Sequence, residues 1–209
     1  MSPVWWWCGR PNTTATTDSR ATSLARMTLL PTDPLSQRVL AFAREHEAPS
    51  VFNHSVRTFL HAAAIAERDG IEHDRVILFQ ACALHDIGTA DAFDGPVRFE
   101  VEGADAAAAF LTAEGVPAAA VDQVWEAIAL HTSAQIAERR GPITLLTRLG
   151  VLADFGEGSA EFEESYPRLG IEAELKRLVV EQARRNPAKA PKSSWAGYLS
   201  RTTISPDDF

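Results

Sequence analysis

From Thr32 onward the apolar residues recur at steps of three and four, the spacing that lines one face of an α-helix. Asp33-Pro34 supplies a capping carboxylate and a proline suited to a first helical position, which predicts a helix over roughly 35–46. Pro49-Ser50 opens a second, which runs to Asp69 and stops at Gly70. Asp74 caps a third, whose Val76, Ile77, Phe79, Ala81, Ala83 and Leu84 are apolar on nearly every side. A helix without a polar face belongs at the centre of a bundle, and this one is expected to reach Gly88. Further helices are predicted over 102–114, 117–132, 142–155 and 172–185. No run alternates like a Val/Ile/Thr-rich strand, and no Asn-Gly or Asp-Gly hairpin joins two apolar stretches. The expectation is an all-α domain of about seven helices, followed from about residue 186 by a polar tail with Trp195 as its anchor.

The first 26 residues break the pattern with a Ser/Thr bias, three adjacent tryptophans and hardly any acid. Val4-Trp5-Trp6-Trp7-Cys8 is too short for the apolar segment of a secretory signal. Residues 1–26 are therefore read as a disordered extension or a misassigned start, and residues 27–209 as the single domain.

Charge narrows the function. Twenty basic residues face twenty-eight acidic ones, a net charge of −8, so nucleic acid and anionic membrane are not expected partners. No apolar run approaches the ~20 residues that a bilayer demands. Two cysteines, Cys8 and Cys82, make neither a disulfide framework nor a thiolate metal site, which suits a reducing, cytoplasmic compartment. The expected partner is a small molecule, and a homo-oligomer remains open.

Within so apolar a chain, certain histidines and aspartates fall on inward faces. His85 and Asp86 close the helix that has no polar side. A buried carboxylate without a partner costs several kcal/mol, so Asp86 must meet a cation, a donor cluster or a metal. His131 continues the stripe Val121, Val124, Ile128, and Asp154 follows Thr147 and Gly150 at helical spacing. His54 shares a helix face with His61, and Arg57 lies one turn along. Helical bundles hold metals by such ligands projecting from facing helices. Imidazole and carboxylate suit zinc, iron, manganese or nickel, and a mixed set leaves room for water, whose pKa the ion lowers. Attack of water on an electrophilic centre is the chemistry implied.

The order His54, His85-Asp86, Asp154 resembles the H…HD…D pattern of the HD-domain superfamily of metal-dependent hydrolases. The strings His54-Ser55-Val56-Arg57, Ala83-Leu84-His85-Asp86-Ile87-Gly88, Arg98-Phe99-Glu100 and Leu130-His131-Thr132-Ser133 are similar to its cyanamide hydratase-like branch. The resemblance spans roughly 32–195 and implies an all-helical HD fold, one divalent metal, zinc first, and hydration of cyanamide to urea. It implies His54, His85, Asp86 and Asp154 as metal ligands, with His131 a further ligand or a proton carrier and Asp86 also a proton acceptor. Glu100 is expected beside the site or as a helix cap, Arg57 on a buried carboxylate, and Phe99 and Trp125 as walls of a small pocket, with core packing the first expectation for Trp125. The alternative is a phosphohydrolase, with Arg57, Arg98, Arg139 and Arg140 as candidate phosphate clamps. Lysine, however, is absent from Ser2 through Leu175. A binding module with a purely structural metal is the third reading.

Overall fold

The computed structural model describes residues 30–156 and 162–203, so the expected extension 1–26 lies outside the described residues. Among the described residues eight α-helices follow one another: α1 Pro34–His46, α2 Pro49–Asp69, α3 Arg75–Leu84, α4 Phe99–Ala113, α5 Ala118–Leu130, α6 Pro142–Asp154, α7 Ile171–Arg185 and α8 Trp195–Thr203. Only short 3-10 turns intervene, and no strand occurs among the described residues. No helix there is long and apolar enough to cross a membrane.

The punctuation acts as the sequence suggests. Asp33 accepts the Ser36 amide at the start of α1, and Asp74 accepts the Val76 and Ile77 amides at the start of α3. Gly70 ends α2 at φ 65°, a left-handed conformation that costs a residue with a side chain more than it costs glycine.

Burial sorts the helices. Every residue of α3 from Leu78 to Leu84 is buried, with α1, α2, α5 and α6 packed around it. A second apolar cluster gathers Phe99 of α4, Leu175, Val179 and Val180 of α7, and Ala196 and Leu199 of α8. Between α2 and α6 the backbones come very close at Gly150, where a Cβ would stand 2.4 Å from the carbonyl oxygen of Thr58. Only a residue without a side chain allows that approach, and it is this approach that brings the end of α6 to the face of α2 carrying His54 and Arg57.

Three boundaries depart from expectation. The third helix stops at Leu84 rather than running to Gly88. His85 is its cap, and Nδ1 of its ring donates to the Cys82 carbonyl at 2.8 Å, using an acceptor that the helix end leaves free. The chain then makes a 3-10 turn, because Gly88 is pressed against α4: a Cβ there would fall 2.0 Å from the Phe99 carbonyl oxygen. The fourth helix begins at Phe99, three residues earlier than expected, with Glu100 and Glu102 in its first turn where the helix dipole favours acid. The tail is not merely polar. Trp195, Ala196 and Leu199 form the apolar side of α8, and the Ser194 hydroxyl accepts the Gly197 amide at 3.0 Å.

Candidate metal centre

Two helices and the turn after a third aim their side chains at a common point. His54 projects from the first half of α2, His85 and Asp86 from the turn after α3, and His131 from the end of α5. All four residues are buried.

Each imidazole is fixed by its Nδ1. His85 donates to the Cys82 carbonyl at 2.8 Å and His131 to the Ile128 carbonyl at 2.7 Å, and a carbonyl can only accept. Nδ1 of His54 lies 2.7 Å from Oδ2 of Asp154. Burial pulls the pKa of His54 below the ordinary histidine value, against the opposing pull of Asp154, so the ring is neutral near pH 7. A neutral ring that donates from Nδ1 keeps its lone pair on Nε2.

The three Nε2 atoms converge on Asp86. Nε2 of His85 is 3.2 Å from Asp86 Oδ2 and 3.2 Å from Nε2 of His54, which is itself 3.6 Å from that same oxygen. On the other side, Nε2 of His131 is 3.4 Å from Asp86 Oδ1. Neither Asp86 oxygen has an aligned hydrogen-bond partner, although both are buried. Burial opposes the charge on Asp86, but His85 and His131 outweigh it and hold the carboxyl well below the usual carboxylate range. Burial likewise opposes a charge on His85, and Asp86 overrides it, lifting that pKa above the ordinary value.

A buried carboxylate facing three imidazole nitrogens without an aligned partner needs positive charge at that point, which a bound cation supplies and, without one, a proton on His85. Ligand atoms ~2.1 Å from one ion stand roughly 3.0–3.4 Å apart in octahedral or tetrahedral coordination. The His54, His85 and Asp86 separations fall on or just outside that range, and these three residues form a group able to hold a metal. The orphaned carboxylate and the tethered rings both fit a divalent ion, and nitrogen with oxygen fits the zinc-to-nickel set.

Asp154 takes a different place from the one the resemblance implied. Its Oδ1 accepts Nε of Arg57 at 2.6 Å and its Oδ2 accepts Nη2 at 2.8 Å as well as the His54 ring. It therefore sits on the far side of His54 from Asp86 and fixes the ring instead of joining the cluster. Burial opposes its charge, yet His54 and Arg57 together set its pKa far below the ordinary value. Arg57, fully buried, pairs with a buried carboxylate as expected and also donates to the Tyr166 carbonyl. His61, which matched no motif, lies 3.7 Å from Asp154 as well.

Glu100 is buried beside His131 without reaching the cluster: it accepts from Thr132 Oγ1 at 2.6 Å and from Arg98 at 2.8 Å. Phe99 stands edge-on to His131, ring centres 5.8 Å apart, and so backs that ring. Trp125 packs against the core, and its alternative place as a pocket wall is corrected. Its indole donates to Asp105 of α4 at 2.8 Å, on a partly buried face remote from the cavity, because the stripe that turns His131 inward turns Trp125 aside.

A cavity of about 480 Å³ opens over His54, His85, Asp86 and His131. Its walls include Leu152 and Phe155 near the end of α6, Leu175 of α7, and Ser193 to Trp195 at the start of α8. No pattern in the chain signalled that α8 contributes, since that segment read as a polar tail anchored by Trp195. Arg148 was missed too. It is the one arginine among the described lining residues, and it is committed, with Nη1 donating to the His131 carbonyl at 3.0 Å and Nε to Glu138 at 3.3 Å. Of the expected phosphate clamps, Arg57 is on Asp154, Arg98 on Glu100 and Arg140 on Glu126, while Arg139 donates to a backbone carbonyl.

Among curated proteins, none matches the chain. The family described as HD domain matches residues 51–155, half of its length, and takes in His54, the His85-Asp86 pair, His131 and Asp154. With three tethered histidines around an orphaned carboxylate inside that stretch, the chain belongs to the HD-domain family, a superfamily of metal-dependent hydrolases.

Proposed function

We propose that this HD-domain chain is a metal-dependent enzyme that adds water to a neutral small molecule bearing a carbon–nitrogen multiple bond, cyanamide or a nitrile. One observation carries the reading. The cluster able to hold the ion floors a cavity in which no arginine or lysine among the described residues is free to clamp a phosphate. Phosphoryl transfer needs such cations at the reacting centre. A neutral substrate does not.

His54, His85 and Asp86 would hold the ion, zinc first, with Asp154 and the Cys82 carbonyl fixing the two rings from behind. When bound, the ion lowers the pKa of water and supplies a nucleophile near neutral pH. Asp86 divides its labour between two oxygens: Oδ2 faces His54 and His85, while Oδ1 faces His131. Oδ1 therefore accepts the proton of the attacking water and passes it to Nε2 of His131. His131 delivers it to the substrate nitrogen, which gains it as the new C–O bond forms and one C–N π bond breaks. A proton shift from oxygen to nitrogen then completes the conversion of cyanamide and water to urea. Leu152, Phe155 and Trp195 limit the access of further water.

The test is urea release from cyanamide and amide release from nitriles, run beside a panel of phosphate esters with the purified, metal-analysed protein. Turnover of the C–N substrates is the expected result. Hydrolysis of phosphate esters with no turnover of cyanamide or nitriles would overturn the reading in favour of a phosphohydrolase.

A further inference from the structure

The cavity is too large, and its mouth too greasy, for cyanamide alone. Water occupies about 30 Å³ per molecule in the liquid, so a solute of three heavy atoms needs at most on the order of 90 Å³. The cavity offers about 480 Å³, within the range that encloses a whole organic ligand. Beside Thr132, Arg148 and Ser193-Ser194, its apolar walls include Val151 and Leu152 of α6, Phe155 at the end of that helix, Leu175 of α7 and Trp195 of α8. Leu152 is 46% exposed and Phe155 40% exposed, three residues apart on the same side of α6. Apolar side chains at the rim of a polar site gain free energy only when something apolar covers them.

The far wall is built with care. The turn 191–194 is tied by the Ser194 hydroxyl, which donates to the Pro191 carbonyl at 2.8 Å and accepts from the Gly197 amide at 3.0 Å. Gly197 lies so close to this turn that a Cβ would stand 2.0 Å from the Pro191 oxygen. Trp195 is thereby set against Phe99, ring centres 6.1 Å apart, and Phe99 in turn backs His131. Phe99 does not itself line the cavity, but it packs behind both Trp195 and the imidazole assigned to the chemistry and so fixes the two lining rings relative to each other.

We infer that the physiological substrate carries an apolar body, of aryl or branched alkyl size, attached to its C–N group, and that Leu152, Phe155 and Trp195 select it. The inference rests on the proposed hydration chemistry for the reacting end only, and its test separates the two.

Two measurements decide it. The first is kcat/KM for cyanamide against phenylcyanamide, and for acetonitrile against benzonitrile. The second is calorimetric binding of methylurea against phenylurea, which needs no turnover. The aryl member of each pair is expected to be favoured at least tenfold. Leu152→Asn, at an exposed position that folding tolerates, should reduce the preference several-fold, as should Trp195→Ala, while Trp195→Phe keeps most of it. Turnover with no aryl preference, and equal binding of the two ureas, would overturn the inference while leaving the hydration chemistry standing. Tighter phenylurea binding that Leu152→Asn weakens, without turnover of any C–N substrate, would support the selective wall and remove the hydration chemistry instead.

Discussion

Asp154 holds His54 from behind: the carboxylate lies 2.7 Å from Nδ1, and the opposite nitrogen, Nε2, is thereby turned toward His85 and Asp86. The same carboxylate takes both Nε and Nη2 of Arg57, so one buried acid sets the tautomer of a ligand and neutralises a fully buried guanidinium.

Removing that acid should be costly. Asp154→Asn leaves Arg57 charged and poorly paired in the interior, and a loss of about 3–5 kcal/mol in urea unfolding is expected. Arg57→Met combined with Asp154→Asn should cost less than the two single changes summed, because neither charge is then left alone. Strict additivity would mean that the pair does not couple.

The acid limb of stability follows from the same group. Unfolded, the Asp154 carboxyl returns to roughly pH 4, whereas folded its pKa lies far lower. The unfolded chain therefore binds the proton more readily below that pH. The stabilisation is complete above it and drains away as pH falls toward the folded value. Unfolding midpoints recorded between pH 6 and pH 3 should fall less steeply for Asp154→Asn than for the wild type.

Metal content tests the cluster directly. Purified protein should hold close to one divalent ion per chain, and His85→Ala should lose it, since His85 is one of the three tightly grouped ligands among the described residues. Protons compete for His85, whose pKa Asp86 lifts, so the ion should begin to leave at a higher pH than an ordinary histidine would allow. Elemental analysis after dialysis at stepped pH would show it. Full retention of metal by His85→Ala would remove the site.

His131 should behave differently. Its Nε2 faces the Asp86 oxygen directed away from His54 and His85, so His131→Ala should keep part of the metal while activity drops about 10²–10⁴-fold. Wild-type turnover in this variant would reduce His131 to packing against Phe99.

Gly150 offers a test of the frame. A methyl group there meets the Thr58 carbonyl, so α6 must move off α2, and Gly150→Ala should cost about 2–3 kcal/mol. The shift would also draw Asp154 away from His54, so metal affinity should fall in a variant that changes no polar group. Unchanged affinity would mean that Asp154 does not orient its histidine.

Much of this was legible in the chain and some was not. Local rules placed α1 at Asp33-Pro34, ended α2 at Gly70 and capped α3 at Asp74, because caps and breakers act within one helical turn. Periodicity turned His131 and Asp154 inward, and composition marked Asp86 as a buried charge in want of a cation. But a stripe reports the face of one helix and says nothing of which face it meets. Only packing at Gly150 put Asp154 behind His54 rather than beside Asp86. Only packing against α4 broke the third helix at Leu84, left Trp125 on Asp105, and brought α8, whose apolar side is too short to stand out from a polar tail, over the cavity. The sequence determined which residues go inside; distances between atoms far apart along the chain decided what they do there.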